Sequence, residues 1–276
     1  MHNKHIHRVI VLAMILNVIA TGVSSQENAN FVQRALADSS FAWRSIASNK
    51  IRIYYEEDSF AERHRMMMLR SMITAVDEVL KILEASECDS VLNVFYVESR
   101  EKMKRIVGRS YSGFSDWAAN AIFMVLNPNW RSFEKHEFAH VVTMGVWGPP
   151  DITSRWMIEG IAIHCDGWCR EYTVDEVAFH LLSNGQLPPL REFLDDFNSL
   201  GEIRAGFYAA SLIGFIQRTH GAQALRDIWL NGVESFKDLL GADVNQIENS
   251  WKNYLKSNVR QDTKVDIDII NKLGCG

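Results

Sequence analysis

The sequence predicts an α+β fold, in which a small mixed β-sheet with one packed helix is followed by a helical lobe. Two observations predict it. Short apolar runs of strand length lie at residues 51–55, 91–97 and 121–126, all before residue 130. After Pro188 and Pro189 the apolar pattern is helical almost to Ser257. Strands that are followed by a run of helices indicate the α+β class.

The first 25 residues predict a secretory signal peptide. Lys4 and Arg8 precede an apolar run from residue 9 to residue 20, and small residues follow at 23–25. Cleavage is expected between Ser25 and Gln26. An uncleaved anchor is the alternative, but the apolar run is short for a membrane span. The sequence therefore predicts a secreted or periplasmic protein without stable membrane insertion.

The mature chain is predicted to be acidic. The full sequence has 29 basic and 34 acidic side chains, and removal of Lys4 and Arg8 with the leader leaves a net charge of −7. Such a charge argues against nucleic acid and against anionic lipid as partners. A hydrophobic content of 47% is ordinary for a folded protein. Composition thus indicates a folded, exported domain, and the substrate must be inferred from the motifs.

Two helices are predicted before the centre of the chain. Residues 26–48 have a helical apolar pattern, which predicts a peripheral helix. A longer helix follows the first strand, because apolar residues recur at three- and four-residue steps from Leu69 to Leu83. Met66, Met67 and Met68 at its start are expected to fill gaps in the core.

The most informative residues are His136, Glu137 and His140, in the segment HEFAH, and Glu159, in the segment WMIEGIA. Positions i and i+4 of a helix share a face, so the two imidazoles can bind one metal ion. Zinc favours a third protein ligand, for which Glu159 on a following helix is suited. Glu137 is placed to accept a proton from water. Flanking apolar residues indicate burial; a buried cluster without metal is the alternative.

The two metal helices are expected within residues 131–166. Gly145 suits the C-cap of the first helix. A turn follows at residues 148–151, and Asp151 or Ser154 is expected to cap the second helix. The sheet lobe then covers about 49–130, the helical lobe 167–257 and a tail 258–276. The metal cleft is expected between the two lobes.

The spacing HExxH-x18-E, with Gly-Ile-Ala after the Glu, resembles the gluzincin zinc metallopeptidases and looks closest to their peptidase MA-like branch. Residues 206–229 read GFYAASLIGFIQRTHGAQALRDIW, and residues 251–255 read WKNYL. They are similar to that branch, where a Tyr opens a helix, a Gly ends it and a Trp-x-x-Tyr-Leu helix closes the domain. The resemblance covers about residues 50–255 and implies a zincin-like fold with bound Zn²⁺.

The resemblance also implies a catalytic tyrosine. Tyr208 matches the Tyr that opens the helix after the zinc site, which implies that its hydroxyl donates to the oxyanion. Core packing is the alternative for Tyr208, and Tyr172, His180 and His220 are weaker candidates for the donor. The Gly-x-Met-Glu-Asn segment of the aminopeptidases is missing, since the corresponding stretch reads SGFSDWAANAIFMV. The resemblance therefore implies zinc hydrolase chemistry without a basis for exopeptidase activity.

These residues predict an exported zinc peptidase that hydrolyses peptide bonds with Glu137 as the general base. Residues 112–125 are expected to supply an edge strand beside the cleft, to which a peptide can add. Trp117 there is expected in the core rather than in a subsite. Asp166 is a candidate for orienting a ligand. The alternatives are a zinc amidase acting on a cell-wall peptide and a degenerate peptidase fold that serves as a binding module in the envelope.

Four cysteines, at positions 88, 165, 169 and 275, predict disulfides in an exported chain. Three pairings are possible. Cys165 and Cys169 flank a short segment that Gly167 can bend, which favours a local bridge, with Cys275 joined to Cys88. One alternative is a second metal site formed by His164, Cys165 and Cys169. The other is that the thiols are free and buried.

Overall fold

The computed structural model describes residues 30–86, 90–150 and 155–275. The predicted signal peptide, Cys88 and the two candidate caps Asp151 and Ser154 lie outside these residues. The architecture is α+β, as the sequence predicts: a five-stranded mixed sheet combined with helices. Within the described ranges, no helix has the length and apolar character needed to cross a membrane.

The sheet has its parallel strands in the centre and antiparallel strands at both edges. Its strands follow the order β1-β2-β3-β5-β4, with β2, β3 and β5 parallel and β1 and β4 antiparallel to their neighbours. The strands are β1 Trp43–Ser48, β2 Ile51–Glu56, β3 Leu92–Val97, β4 Gly113–Asp116 and β5 Ala121–Val125. The predicted runs at 51–55, 91–97 and 121–126 are thus confirmed as strands, and β4 confirms the predicted edge strand within 112–125.

The described part of the chain has twelve α-helices. They are α1 Phe31–Ala37, α2 Phe60–Arg63, α3 Arg65–Ile82, α4 Arg100–Val107, α5 Glu134–Val142, α6 Arg155–Asp166, α7 Val174–Ser183, α8 Leu190–Asp195, α9 Glu202–Asn231, α10 Phe236–Leu240, α11 Val244–Asn258 and α12 Ile267–Leu273. A two-stranded hairpin, β6 Trp168–Cys169 and β7 Tyr172–Thr173, lies between α6 and α7.

Both faces of the central strands are buried. Val94 and Tyr96 of β3 join the main core with α3, while Phe95 and Val97 face a second core that α1 and α4 help to form. A parallel strand that is covered on both faces reads as a continuous apolar run instead of an alternating one. This burial explains why β3 and β5 could be predicted from the sequence.

The helical lobe is organised around α9, a long helix that is broken at Gly221. Gly221 has a φ of +84°, a conformation that L side chains rarely adopt, so the helix changes direction there. Helices α6, α7 and α11 pack against α9. Trp251 of α11 is fully buried and donates its indole N–H to the Ser211 hydroxyl of α9 at 3.0 Å. The long helical pattern predicted after Pro189 is confirmed.

The N-terminal prediction was wrong in its second half. Residues 31–37 are helical, but residues 43–48 form the edge strand β1, so the sheet begins before residue 49. Phe41 and Trp43 stack with ring centroids 5.0 Å apart, and Trp43 packs edge-on against Phe95 of the sheet. Pairing of β1 with the already buried β2 therefore overrides a weak helical spacing.

Three further predictions are corrected. Met66 and Met67 are 50% and 54% exposed, and only Met68 is buried, because it belongs to the one face of α3 that packs on the core. Trp117 is 45% exposed and is not a core residue. Gly145 is not a C-cap, since α5 continues into a π-helical turn, Thr143–Trp147. This turn contains Gly145 and is capped by Gly148, which has a φ of +88°.

The predicted cysteine pairing was also wrong. The structure joins Cys169 to Cys275, whereas Cys165 is a buried free thiol. Cys165 lies on the packed face of α6, and Gly167, with a φ of +77°, turns the chain into the hairpin that carries Cys169. The tail predicted at 258–276 is not extended, because α12 packs over the same hairpin and brings Cys275 to it. Arg170 also donates through Nε to the Gly274 carbonyl at 3.0 Å.

We predict that a non-reducing digest of the protein yields a peptide linking Cys169 to Cys275. Cys165→Ala should leave this peptide intact. Cys275→Ser should lower the free energy of unfolding by about 2–4 kcal/mol, because the bridge closes a long loop in the unfolded chain. Recovery of a peptide linking Cys165 to Cys169 would contradict the pairing.

Candidate metal centre

The candidate metal centre begins with two histidines one turn apart on α5. His136 and His140 turn their Nε2 atoms towards each other, 3.2 Å apart, and their rings are nearly perpendicular. Phe138, Val141 and Val142 on the remaining faces are buried, so the apolar side of α5 fixes which side the imidazoles occupy. The helix that the HEFAH segment predicts is confirmed, and both imidazoles lie on one face of it.

The second element is α6, which carries Glu159. Its Oε2 atom lies 3.8 Å from Nε2 of His136. The ligand atoms of His136, His140 and Glu159 all lie within 4.8 Å of one another, and the three residues could hold a metal ion. The structure thus brings together all three residues that the sequence predicts as metal ligands.

Gly160 explains how α6 is held in this place. A Cβ atom at Gly160 would lie 2.7 Å from the Cβ of Ala209 and 2.6 Å from a methyl group of Ile213, both on α9. Glycine therefore lets α6 approach α9 closely enough to bury one side of the helix. Glu159, the preceding residue, is consequently held at a fixed distance from α5.

Burial keeps both histidines in the form that binds metal. Desolvation and, to a smaller extent, the neighbouring His140 together lower the pKa of His136 to about 3. Desolvation also lowers the pKa of His140, although the charge of Glu159 acts in the opposite direction. Both imidazoles are therefore neutral at physiological pH, and a neutral imidazole is the form that ligates a metal.

The donor set fits a zinc ion. Two zinc–nitrogen bonds of tetrahedral geometry would separate the nitrogens by roughly 3.3 Å, and the Nε2 atoms of His136 and His140 are 3.2 Å apart. Two His and one Glu form a set that leaves one position of a tetrahedral zinc open. The site also contains the buried carboxyl group of Glu137 next to the partly exposed Glu159, and a cation would compensate their charge. The residues present thus fit the metal that the sequence predicts.

Glu137 lies beside the ligands and contacts the edge strand β4. Its side chain is buried, and the Ser115 hydroxyl donates to Oε2 at 2.6 Å. The pKa of Glu137 is raised to about 8, because desolvation and, less strongly, the charges of Glu159 and Asp166 outweigh the lowering by the Ser115 hydrogen bond. Glu137 is thus a carboxyl group whose proton affinity is close to that needed by a base at neutral pH.

Asp166 lies at the other end of α6, near the N-terminus of α5. Its pKa is raised to about 7, because desolvation outweighs the lowering by nearby Lys135 and by a hydrogen bond from the backbone of His136. A carboxylate at this position complements the unsatisfied N–H groups and the dipole of α5. Asp166 therefore contacts the backbone of a predicted ligand, so it positions α5 and does not orient an imidazole directly.

Tyr208, the predicted oxyanion donor, lies in the core. Its ring stacks between Phe193 and Trp251, with centroid distances of 4.2 Å and 5.0 Å. Its hydroxyl donates to the Pro188 carbonyl at 3.3 Å, and burial raises its pKa. Tyr208 has no exposed surface. The structure therefore supports the packing alternative, because a hydroxyl that is enclosed and already bonded is not available to a substrate.

The weaker candidates are not part of the cluster either. Tyr172 is buried in the hairpin core, and His220 is exposed at the end of the first part of α9. His180 lies in α7, and its carbonyl accepts a hydrogen bond from Asn184. His164 bonds to Gln217 at 2.6 Å. Among the described residues, the metal-capable group comprises His136, His140 and Glu159 alone.

Gly113 and Ser115 are the site residues that the sequence does not reveal. Both contact Glu137 across the interface between β4 and α5, a contact that tertiary packing creates. The one available signal is the two-residue period of a strand, which places positions 113 and 115 on the same face. That period does not indicate that this face of β4 packs against Glu137 of α5.

No model of a known protein family matches this chain, and no curated protein matches it. The resemblance to the gluzincins therefore stays a prediction, which rests on the motif and its spacing.

We predict that Tyr208→Phe lowers the free energy of unfolding by about 0.5–1.5 kcal/mol, the usual value of one hydrogen bond. Zinc binding and any peptide hydrolysis should stay at the wild-type level, because the ring and its stacking remain. Chemical denaturation, metal analysis and kinetics on one preparation check this. A loss of kcat of roughly 10² to 10³-fold at full zinc content would instead restore Tyr208 as the oxyanion donor.

Proposed function

We propose that this protein is an exported zinc-dependent peptidase of gluzincin type. The observation that carries the proposal is the convergence of His136, His140 and Glu159, whose ligand atoms lie within 4.8 Å of one another, with Glu137 next to them on α5. These four residues lie on α5 and α6 close to the edge strand β4, which agrees with a zincin-like cleft. The predicted leader supports export.

His136, His140 and Glu159 would hold the metal, and Glu137 would act as the general base. Zinc, when bound there, supplies a Lewis acid that polarises the peptide carbonyl and favours ionisation of a water. Glu137 accepts the proton of that water and later transfers it to the leaving amine. Its raised pKa, about 8 without a cation, supports a group that can both take up and release a proton. A nearby cation would lower that value towards neutrality.

Strand β4 supports the proposal that the substrate is a peptide. It is the last strand of the sheet, so one of its edges pairs with no other strand among the described residues. Its face meets Glu137 through Gly113 and Ser115. An extended peptide that added to this edge would gain backbone hydrogen bonds irrespective of its sequence, and it would pass close to the base. Trp117, which follows β4 and is 45% exposed, is available to contact its side chains.

We predict that the purified mature chain binds one zinc ion tightly. His140→Ala should abolish this binding, because two remaining ligands do not complete the site. His220→Ala is the matched control, since it removes an exposed histidine outside the cluster, and it should bind zinc like the wild type. Metal analysis after dialysis against excess zinc decides the question. A wild-type protein that remains free of zinc would overturn the site assignment.

We predict that Glu137→Gln retains zinc but lowers turnover by about 10² to 10⁴-fold, the usual contribution of a general base. Gln has nearly the same shape, but it cannot accept the proton. Cleavage of a mixed peptide library by wild type, with and without a chelator, provides the assay.

Near wild-type hydrolysis by Glu137→Gln would contradict the mechanism. Chelator-sensitive release from cell-wall fragments in place of ordinary peptides would favour the amidase alternative. Zinc binding by a wild type that cleaves neither substrate would favour the binding module.

A further inference from the structure

Strand β4 encloses the carboxyl group of Glu137 with two residues of the same face. We propose that Ser115 and Gly113 are positioning residues that hold this carboxyl in the orientation required of the base. The inference rests on the proposed peptidase function, because it assigns a role to the residues that touch the proposed base. It concerns the edge strand, and none of the metal ligands takes part in it.

Ser115 fixes one oxygen of the carboxyl group. Its hydroxyl lies 2.6 Å from Glu137 Oε2 and 2.8 Å from the Glu137 backbone carbonyl. One hydroxyl proton can serve only one of these acceptors at a time. An ionised carboxylate is the stronger acceptor, since hydrogen bonds to charged groups are about twice as strong as neutral ones. The hydroxyl therefore restrains the side chain when Glu137 is ready to act as a base.

Gly113 makes room for the other oxygen. A Cβ atom built at Gly113 would lie 2.0 Å from Glu137 Oε1 and 2.7 Å from its carboxyl carbon. No side chain other than hydrogen fits at that place while the carboxyl stays where it is. Strand periodicity puts positions 113 and 115 on one face. The strand thus supplies a donor for one carboxyl oxygen and a gap for the other.

The consequence is that base and substrate are positioned by one element. A peptide substrate would add to the edge of β4 that faces away from β5. Because the Glu137 carboxyl group is held by β4, it keeps its position relative to a peptide bound to β4 even if α5 moves slightly against the sheet. A misplacement of about 1 Å can cost roughly 10²-fold in rate, so this restraint has a measurable effect.

A purely structural role for Ser115 makes a different prediction. In that case its hydroxyl would join β4 to α5 through the Glu137 backbone carbonyl, and the Glu137 side chain would be irrelevant to it. Removal of the hydroxyl would then lower stability equally whether or not the Glu137 carboxyl is present. The two roles therefore differ in the energetic coupling between the two side chains.

The first measurement uses zinc-free protein and needs no activity. Equilibrium unfolding of wild type, Ser115→Ala, Glu137→Ala and the double variant forms a double-mutant cycle. We expect the effects of the two single substitutions to be non-additive, by about tenfold in the unfolding equilibrium constant, as for one intramolecular hydrogen bond. Additive effects would overturn the proposal and leave the structural role.

The second measurement uses the zinc-loaded enzyme. Ser115→Ala should lower kcat by about tenfold with little change in KM or zinc content, and Ser115→Thr, which keeps the hydroxyl, should recover most of the loss. Ser199→Ala, an exposed serine that bonds only to the Asp196 carbonyl, is the control and should match wild type.

Gly113→Ala tests the other half of the enclosure. The atom in its way belongs to the end of a flexible side chain, so the fold should persist while the carboxyl is displaced. We expect unchanged zinc content and a loss of about 10²-fold in kcat. Gly145→Ala is the matched control, because nothing lies within 4 Å of its added Cβ, and its kcat should equal that of the wild type.

The outcomes separate the two proposals. If zinc-loaded wild type hydrolyses no peptide or amide, the proposed function fails, and the positioning role falls with it. If wild type is active while Ser115→Ala and Gly113→Ala are equally active, the positioning role alone is overturned.

Discussion

The structure depends on the partial withdrawal of polar side chains from water at the contact between α5 and α6. His136, Glu137 and His140 are held there among apolar groups, beside the partly exposed Glu159, and desolvation shifts the pKa values of the first three. Burial keeps the imidazoles neutral and makes the carboxyl group of Glu137 a better base, which are the states that metal binding and proton transfer require. Such a cluster is costly unless its members are paired or bind a cation. A zinc ion would offset the desolvation penalty of these side chains and would explain why the cluster exists.

The two halves of the fold hold this contact from opposite sides. On the helical side, Gly160 lets α6 pack closely on α9, and this packing fixes Glu159. On the sheet side, β4 meets α5 through Ser115 and Gly113, and this contact fixes Glu137. Asp166 adds a third support, since it contacts the backbone at His136. The proposed ligands thus belong to helices, whereas the orientation of the proposed base depends on the sheet.

The parts that could be predicted from the sequence are those whose pattern is local. The apolar runs of β3 and β5, the period of α3 and the i, i+4 spacing of His136 and His140 all express burial or geometry within one element. The errors arise where distant residues meet. Strand β1 forms because β2 offers an edge; the Cys169–Cys275 bridge depends on how α12 folds back; and Tyr208 matched a family position while its surroundings made it a core residue. Ser115 and Gly113 acquire their role only when β4 is laid against α5.

The central claim is that His136, His140 and Glu159 together bind zinc. Anomalous X-ray diffraction above and below the zinc absorption edge, from crystals of the mature chain grown with zinc, tests it most directly. The account predicts one strong anomalous peak at about 2.0–2.2 Å from Nε2 of His136, Nε2 of His140 and a carboxylate oxygen of Glu159. A well-ordered α5–α6 contact without such a peak, or zinc bound only by surface histidines, would contradict it.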